Sequence, residues 1–527
     1  MKLDTTTLPE DSSELKTLIL EMDERYQQRI EFLEEQNRLL KKALFGPKTE
    51  KRPAEEETVL HQLQLFNEAE VLAEPDPEKP LVVPEHTRRK PKRKPLPADL
   101  PRVEVIQDLD ESEKICGCGA NLVRIGEEVS EKLDIIPAKI RVIRNIRYKY
   151  ACKQCEGVED EGPTVKTAPP PPAIIPKGIA SPGLLAHIVV AKYCDALPLY
   201  RQEKIFSRYG IELSRATMAG WMVRVAECCQ PLLDLLHQAL LSGPLINADE
   251  TPVQVLNEPG RANTTKSYMW VFRGGLPEKP VVLFFYSPTR SGQVARDLLE
   301  GYVGYCQTDA FAGYAALENE LSGIRLVGCF AHVRRNFVKV IEARGKDTKK
   351  KPGSAEVALN YIQKLYAIEA LARKEGLGPA EICALRQDKA KPILDEFKAW
   401  LDKRAAQTPP QGLLGKAIHY ALSNWSKLIR YLEDGHITPD NNAAENAIRP
   451  FVVGRRNWLF AGHPNGARAA ATLYSLIETA KACGLEPYQY LRFLFEKLPY
   501  TQTEQDLAAL LPQNVAPEQL ARFMTTV

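Results

Sequence analysis

The chain has 527 residues, 44% of them hydrophobic and 26% charged, and its 70 Lys and Arg against 68 Asp and Glu leave a formal net charge of +2 at pH 7. That length exceeds one ordinary core, so about three domains with connecting segments are expected, and the composition excludes a disordered or fibrous chain. No run of about 18 apolar residues occurs and the acidic start MKLDTTTLPEDSSE lacks the order of a secretory signal, which points away from membranes and toward a cytoplasmic location.

Residues 1–45 carry Leu15, Ile19, Met22, Tyr26, Ile30, Leu33, Leu40 and Leu44 at spacings of three and four. With Ile30, Asn37 and Leu44 at a and Leu33 and Leu40 at d, this predicts a short coiled coil whose buried Asn fixes register and favours a dimer; one amphipathic helix packed on its own chain is the alternative. Residues 46–100 turn Pro-rich and charged, with EEE at 55–57 and RRKPKRK at 88–94, and read as a linker. Arg88, Arg89 and Lys90 are candidate phosphate contacts there, or ordinary solvated charges.

Residues 101–166 hold two close cysteine pairs, Cys116 with Cys118 and Cys152 with Cys155, flanking the strand-like KIRVIRNIRYKYACKQC. Four thiolates on turns and strands suit a structural zinc ion that holds together a region with little core of its own; buried free thiols are the alternative. The C-x-C of the first pair is tighter than usual, so one ligand can come from elsewhere. The other seven cysteines read as small buried residues.

Residues 175–242 read as helices. In LYRQEKIFSRYGIELSRATMAGWMVRVAECC one helix ends at Gly210 and a second starts after Ser214, the order of a helix-turn-helix. Arg215, Thr217 and Arg224 face outward in that reading, and Met218, Trp221 and Val225 inward.

Residues 243–343 change texture. PLINADETPVQVL, SYMWVFRGG and VVLFFYSPTR are successive strands, followed by helix GQVARDLLEG, strand GYCQTDAFAGY, helix AALENELSG and strand IRLVGCFAH. A meander followed by helix and strand alternation predicts a mixed sheet of ribonuclease H-like order. Asp249 and Asp309 fall at strand-to-turn positions, where adjacent strands would hold two carboxylates side by side, an arrangement that needs a proton or cation between them and suits a pair of divalent ions. The third acid must come from a helix. Each acid also has a plainer reading: a turn cap for Asp249 and Asp309, and a capping box with Asn442 for Glu445. Residues 344–431 are helical throughout and read as an insertion, residues 432–500 return to the core with the Glu445 helix, and 501–527 form a tail.

ADETPVQVL, QTDAFAGY, CFAHVRRNF and NNAAENAIRPFVVGRRNWLFAGHPNGARAAATLYSLIETAKACGLEPYQYL, with LFGPKTEKR, the cysteine region and the 183–222 helical segment, resemble transposases of the Insertion Sequence 66 family over nearly the whole chain. The resemblance implies a multidomain α+β protein: a ribonuclease H-like α/β catalytic domain with an all-helical insertion, preceded by a coiled coil, a zinc-finger-like module and a helical DNA-binding region. It implies a catalytic triad of Asp249, Asp309 and Glu445 ligating two Mg²⁺ or Mn²⁺ ions, cleavage at the ends of a mobile element, and joining of the freed 3′ hydroxyls to target DNA. It also implies zinc on Cys116, Cys118, Cys152 and Cys155, partners that are terminal-repeat and target DNA, a homodimer or larger oligomer, accessory proteins of the same element, and a nucleoid-associated, cytoplasmic location. His332, Arg334, Arg335, Arg449, Arg455 and Arg456 are candidate DNA contacts, with surface salt bridges as the alternative for the arginines. Two other functions share these features: a non-catalytic DNA-binding regulator and a structure-selective ribonuclease H-like nuclease.

Overall fold

A computed structural model of the chain describes residues 140–151, 165–309, 311–344 and 353–526. The expected coiled coil, the 88–94 basic run and all four paired cysteines lie outside the described residues. Two compact units are distinguished, one spanning Asp76–Pro171 and the other containing Pro172–Val527.

In the first unit, β1 (Lys149–Ala151) pairs antiparallel with β2 (Val165–Thr167), Lys149 opposite Thr167. Of the strand expected over 139–155, the described residues 140–151 form it at Lys149–Ala151. Residues 140–148 alternate like a strand but are not assigned as one; the pairing reaches back only to Tyr148, whose carbonyl accepts from the Ala168 amide at 3.3 Å.

The second unit begins with four helices. Ser181 caps α1 (Pro182–Tyr193), accepting from the Leu184 amide at 3.2 Å, and Pro182 occupies the first turn where its missing N–H costs nothing. Then come α2 (Leu199–Arg208), α3 (Arg215–Cys228) and α4 (Gln230–Leu241). Between α2 and α3 the chain turns through Gly210 at φ +74°, and Ser214 caps α3 on the Thr217 amide at 3.1 Å. Met218, Trp221 and Val225 are buried while Arg215, Thr217 and Arg224 are exposed, as the pattern predicts. These helices pack into the same core as the sheet that follows.

That sheet is built from β3 (Leu245–Val255), β4 (Lys266–Leu276) and β5 (Lys279–Ser287), then, after α5 (Gly292–Leu298), β6 (Gly304–Gln307) and β7 (Ile324–Val327). Its order is β5-β4-β3-β6-β7, antiparallel among the first three and parallel from β3 onward. The molecule is thus mixed α+β, mostly helical around one mixed sheet.

After β7 a second core forms. Helix α6 (Phe330–Arg344) packs Phe330, Val333 and Phe337 against α7 (Ser354–Glu375), α9 (Lys391–Ala405) and α10 (Leu413–Ser423), with α8 (Pro379–Leu385) and a π-helical turn at Arg386–Ala390 between. The side chain of Arg386 is 1% exposed, yet all five of its N–H groups are used: two on the Glu369 carboxylate at 2.8 Å each, and three on the carbonyls of Tyr431, Asp434 and Ile437 at 2.7–3.0 Å. This buried charge ties the helical layer to the segment that leads back to the sheet.

The chain returns through α11 (Asn442–Trp458), the two-residue β8 (Phe460–Ala461), α12 (Pro464–Ala482), α13 (Pro487–Lys497) and α14 (Pro517–Thr526). Helix α12 lies across the sheet, and its hydroxyls occupy the open edge of β5. Thr479 Oγ1 accepts from the Val282 amide and donates to the Val282 carbonyl, each at 3.0 Å, while Ser475 Oγ accepts from the Phe284 amide at 2.7 Å. An edge strand that would otherwise present unpaired groups is closed in this way.

Candidate metal and DNA site

The register of β3 against β6 sets the site. Asn247 lies opposite Gln307 in a parallel pair. Two residues further on, Asp309 stands just past the end of β6, whereas Asp249 lies within β3, opposite Val271 of β4, and not at the strand-to-turn position its sequence suggests, because β3 continues to Val255. On the edge facing away from β4, β3 is paired at Leu245–Asn247 by β6 and at Gln254–Val255 by β8, which leaves a gap between. Asn441, at the start of α11, fills part of that gap. Its side-chain amide donates to the Ala248 carbonyl at 2.8 Å, its Oδ1 accepts from Asn247 at 3.1 Å, and Asn247 also donates to Gln307 at 2.8 Å. Asn441 is 1% exposed, so these bonds are made away from water and fix where α11 begins.

Glu445 follows one turn later, buried at 6% exposure. It does not fold back in a capping box. The Asn442 amide donates instead to Asp440 Oδ1 at 3.1 Å, and both Glu445 oxygens accept from Arg335 at 3.0 and 2.9 Å. Asp249 accepts from the Glu250 amide at 2.8 Å and Asp309 from the Phe311 amide at 2.9 Å.

Burial, followed by the charges of Glu250, Glu445 and Asp309, pushes the Asp249 carboxyl up to about 8. Four acids therefore act on one another at this end of the sheet. Glu250, on the opposite face of β3, is raised mainly by burial and countered by hydrogen bonds from Tyr314 at 2.7 Å and Arg290 at 2.8 Å.

Cys329, His332 and Glu445 also converge, with their donor atoms all within 4.8 Å of one another. Cys329 is a buried thiol held up at about 12 chiefly by burial, its sulfur accepting from the Asn441 amide at 3.2 Å. His332 is lowered by burial and then by Arg335, which favours the neutral ring, and its Nδ1 is 3.8 Å from Glu445.

The sequence-derived arginines divide by position. Arg335 is paired with Glu445. Arg449 lies one turn after Glu445 and is lowered by burial, partly offset by Glu445. Arg455 donates to Thr251 Oγ1 at 3.1 Å on the Asp249 face of β3. Arg334 is half-buried on α6 and Arg456 is exposed near the end of α11. Arg215 and Arg224 lie on α3, away from the acids in sequence, and Arg224 pairs with Glu227 at 3.2 Å. Arg88, Arg89, Lys90, Cys116, Cys118, Cys152 and Cys155 are outside the described residues. Sequence reasoning missed Asn441 and Glu250. The signal for both was adjacency, since each precedes or follows a singled-out acid in ADET or NNAAE.

A buried cluster of hard oxygen donors at one end of a mixed sheet, flanked by arginines, defines a class of site that takes cations and polyanions. The family model described as "Transposase IS66 family" matches residues 177–469. Further models match at residues 113–156 (zinc-finger binding domain of transposase IS66), 475–513 (IS66 C-terminal element) and 32–105 (Transposase C of IS166 homeodomain). The chain is 36% identical over 440 residues to the uncharacterized protein y4jD of Sinorhizobium fredii (strain NBRC 101917 / NGR234), covering 81% of this chain and 83% of that protein. It is 34% identical over 451 residues to y4qI of the same organism, covering 82% and 80%. No solved structure matches significantly. The chain belongs to the IS66 transposase family.

Proposed function

We propose that the chain is a DNA transposase in which Asp249, Asp309 and Glu445 hold two divalent cations, Mg²⁺ or Mn²⁺, on a ribonuclease H-like sheet. The observation that carries this is the register: Asp249 within β3 and Asp309 just past the end of the adjacent parallel strand β6, each two residues beyond the paired Asn247 and Gln307, with a third acid on the helix seated in the gap of β3 and felt electrostatically by Asp249. The donor set fits such ions. Carboxylate oxygens are the ligands hard cations prefer, and a carboxyl raised to about 8 by burial first and by neighbouring acids second marks a place short of positive charge.

When bound, the ions would supply Lewis-acid charge to the attacking and leaving oxygens of a phosphodiester. The chain's own residues do the rest. Asn441 positions the Glu445 helix, Arg335 neutralises Glu445, and Arg334, Arg449, Arg455 and Arg456 offer guanidinium groups to the backbone of terminal-repeat and target DNA. His332, neutral and beside Glu445, accepts or donates a hydrogen bond at the same place. The proposal includes structural zinc on Cys116, Cys118, Cys152 and Cys155, auxiliary phosphate contacts from Arg88, Arg89, Lys90, Arg215 and Arg224, assembly as a dimer or larger through residues 1–45, and work on DNA in the cytoplasm with accessory proteins of the same element.

The test uses purified full-length chain, the element's accessory proteins, labelled duplexes carrying the ends of the element that encodes the chain, and Mg²⁺. Cleavage followed by joining to a second DNA, abolished by EDTA, is the expected result. Cleavage without joining would make the chain a nuclease, and binding without cleavage a regulator.

A further inference from the structure

A cavity of about 860 Å³ lies among α1, α2, α3, the far end of β3 and the segment from Trp458 to Ala470. We infer that this cavity receives one unstacked nucleobase of the DNA strand engaged at the acids; the inference rests on the transposase reading and adds a base-extrusion step to it.

The cavity and the acid site share one strand, β3. Asp249, Thr251 and Val253 alternate onto the same face of β3, Arg455 bonds Thr251 between them, and Val253 lines the cavity together with Met269, the cross-strand partner of Thr251. Four residues of strand separate Asp249 from Val253, about 13 Å at 3.3 Å per residue. At 3.4 Å per base step that is about four steps of a duplex, so a strand whose phosphate reaches the acids passes the cavity mouth.

The lining suits a base. It is mostly apolar, with aromatic walls at Tyr200, Trp458 and Phe460, cationic side chains at Lys192 and Arg215, and no acidic residue. Lys192 Nζ stands 5.4 Å from the Tyr193 ring centre and 5.6 Å from that of Trp458, and makes neither a hydrogen bond nor an ion pair among the described residues. Burial lowers it to about 8. Lys192 is half-buried, and an ammonium partly withdrawn from water gains from an acceptor entering the cavity; base edges carry such acceptors. Stacking on aromatic rings is sequence-tolerant and supplies the rest of the attraction.

Three glycines of the wall point the same way. Gly220, Gly462 and Gly466 have no need of left-handed backbone, and a Cβ on any of them would meet no atom within 4 Å. Gly220 sits within α3 and Gly466 in α12, where glycine is less favourable than alanine by roughly 0.5–1 kcal/mol. Neither conformation nor packing asks for glycine here, so a side chain introduced at these wall positions has room to project. At the mouth, Leu459 holds φ +68° and ψ −53°, a strained tight-turn geometry, and it and Phe460 are left 64% and 45% exposed.

The test measures binding of full-length chain to element-end duplexes in which the partner of each base in turn is replaced by an abasic site, which removes the pairing that opposes extrusion. The expected result is one position at which affinity rises about tenfold, since unpairing costs a few kcal/mol, with a change in 2-aminopurine emission when that analogue occupies the extruded position. Gly220→Trp and Gly466→Trp, which fill the cavity from two different helices, are expected to abolish both signals while still binding paired duplex. No position with more than a twofold rise, or filled variants that keep it, would overturn the cavity assignment while leaving transposition intact. A wild-type chain that neither binds nor cuts these duplexes would overturn the transposase reading and this inference with it.

Discussion

Replacing Asp249 with Asn separates the acid cluster's cost to folding from its use. The buried carboxyl sits at about 8 against an ordinary 3.8, so the folded chain binds more protons than the unfolded chain between those values. By linkage, stability contributed by protonated Asp249 is complete below about pH 4 and is lost as pH rises through about 8. The full displacement corresponds to roughly 6 kcal/mol at about 1.4 kcal/mol per unit, and solvent relaxation leaves of the order of 3 kcal/mol. Asn keeps the shape without the charge. In EDTA, Asp249→Asn should match wild type near pH 4.5 and exceed it increasingly toward pH 8.5, by about 5 °C in melting temperature. Adding Mg²⁺ at pH 8.5 should raise wild type and leave the variant unmoved. A variant no more stable than wild type at pH 8.5 in EDTA would refute the claim that these acids repel one another across the site.

Arg335→Gln removes the guanidinium from Glu445; because Arg335 is half exposed, the expected loss in EDTA is about 1–2 kcal/mol rather than the 3–5 of a fully buried pair, shrinking as Mg²⁺ is added, read by thermal denaturation. Asn441→Ala strips two buried side-chain bonds from the joint between β3 and α11, and should cost about 1–3 kcal/mol and lower the cleavage rate more than DNA affinity. Thr479→Val leaves the Val282 amide and carbonyl without their partner, with a destabilisation of about 1–3 kcal/mol in chemical denaturation and no change in metal binding.

The sheet was legible in the sequence because its long strands alternate or run apolar: 245–255, 266–276 and 279–287 coincide with the three quoted segments. Its short members were harder. Strand β6 ends at Gln307, so Asp309 emerges in the turn after the strand rather than within it, and β8, two residues long, has no periodicity to read. Residues 140–147 show the converse, alternation without a strand partner among the described residues. The helix pair at 199–228 was readable from Gly210 and Ser214, because turn and cap chemistry is local. The contacts of Glu445 were not: Arg335 is 110 residues away in sequence, and only the fold brings its fork to that carboxylate. Arg386 is the same case, a buried charge whose five hydrogen bonds go to four residues 17 to 51 positions away in sequence.

The account rests on the acids acting as a set, and strand transfer by Asp249→Asn, Asp309→Asn and Glu445→Gln tests that most directly. With labelled element ends, target DNA and Mg²⁺, each variant should bind the ends as wild type does and yield no joined product. Full joining by any one of the three would contradict the proposed site.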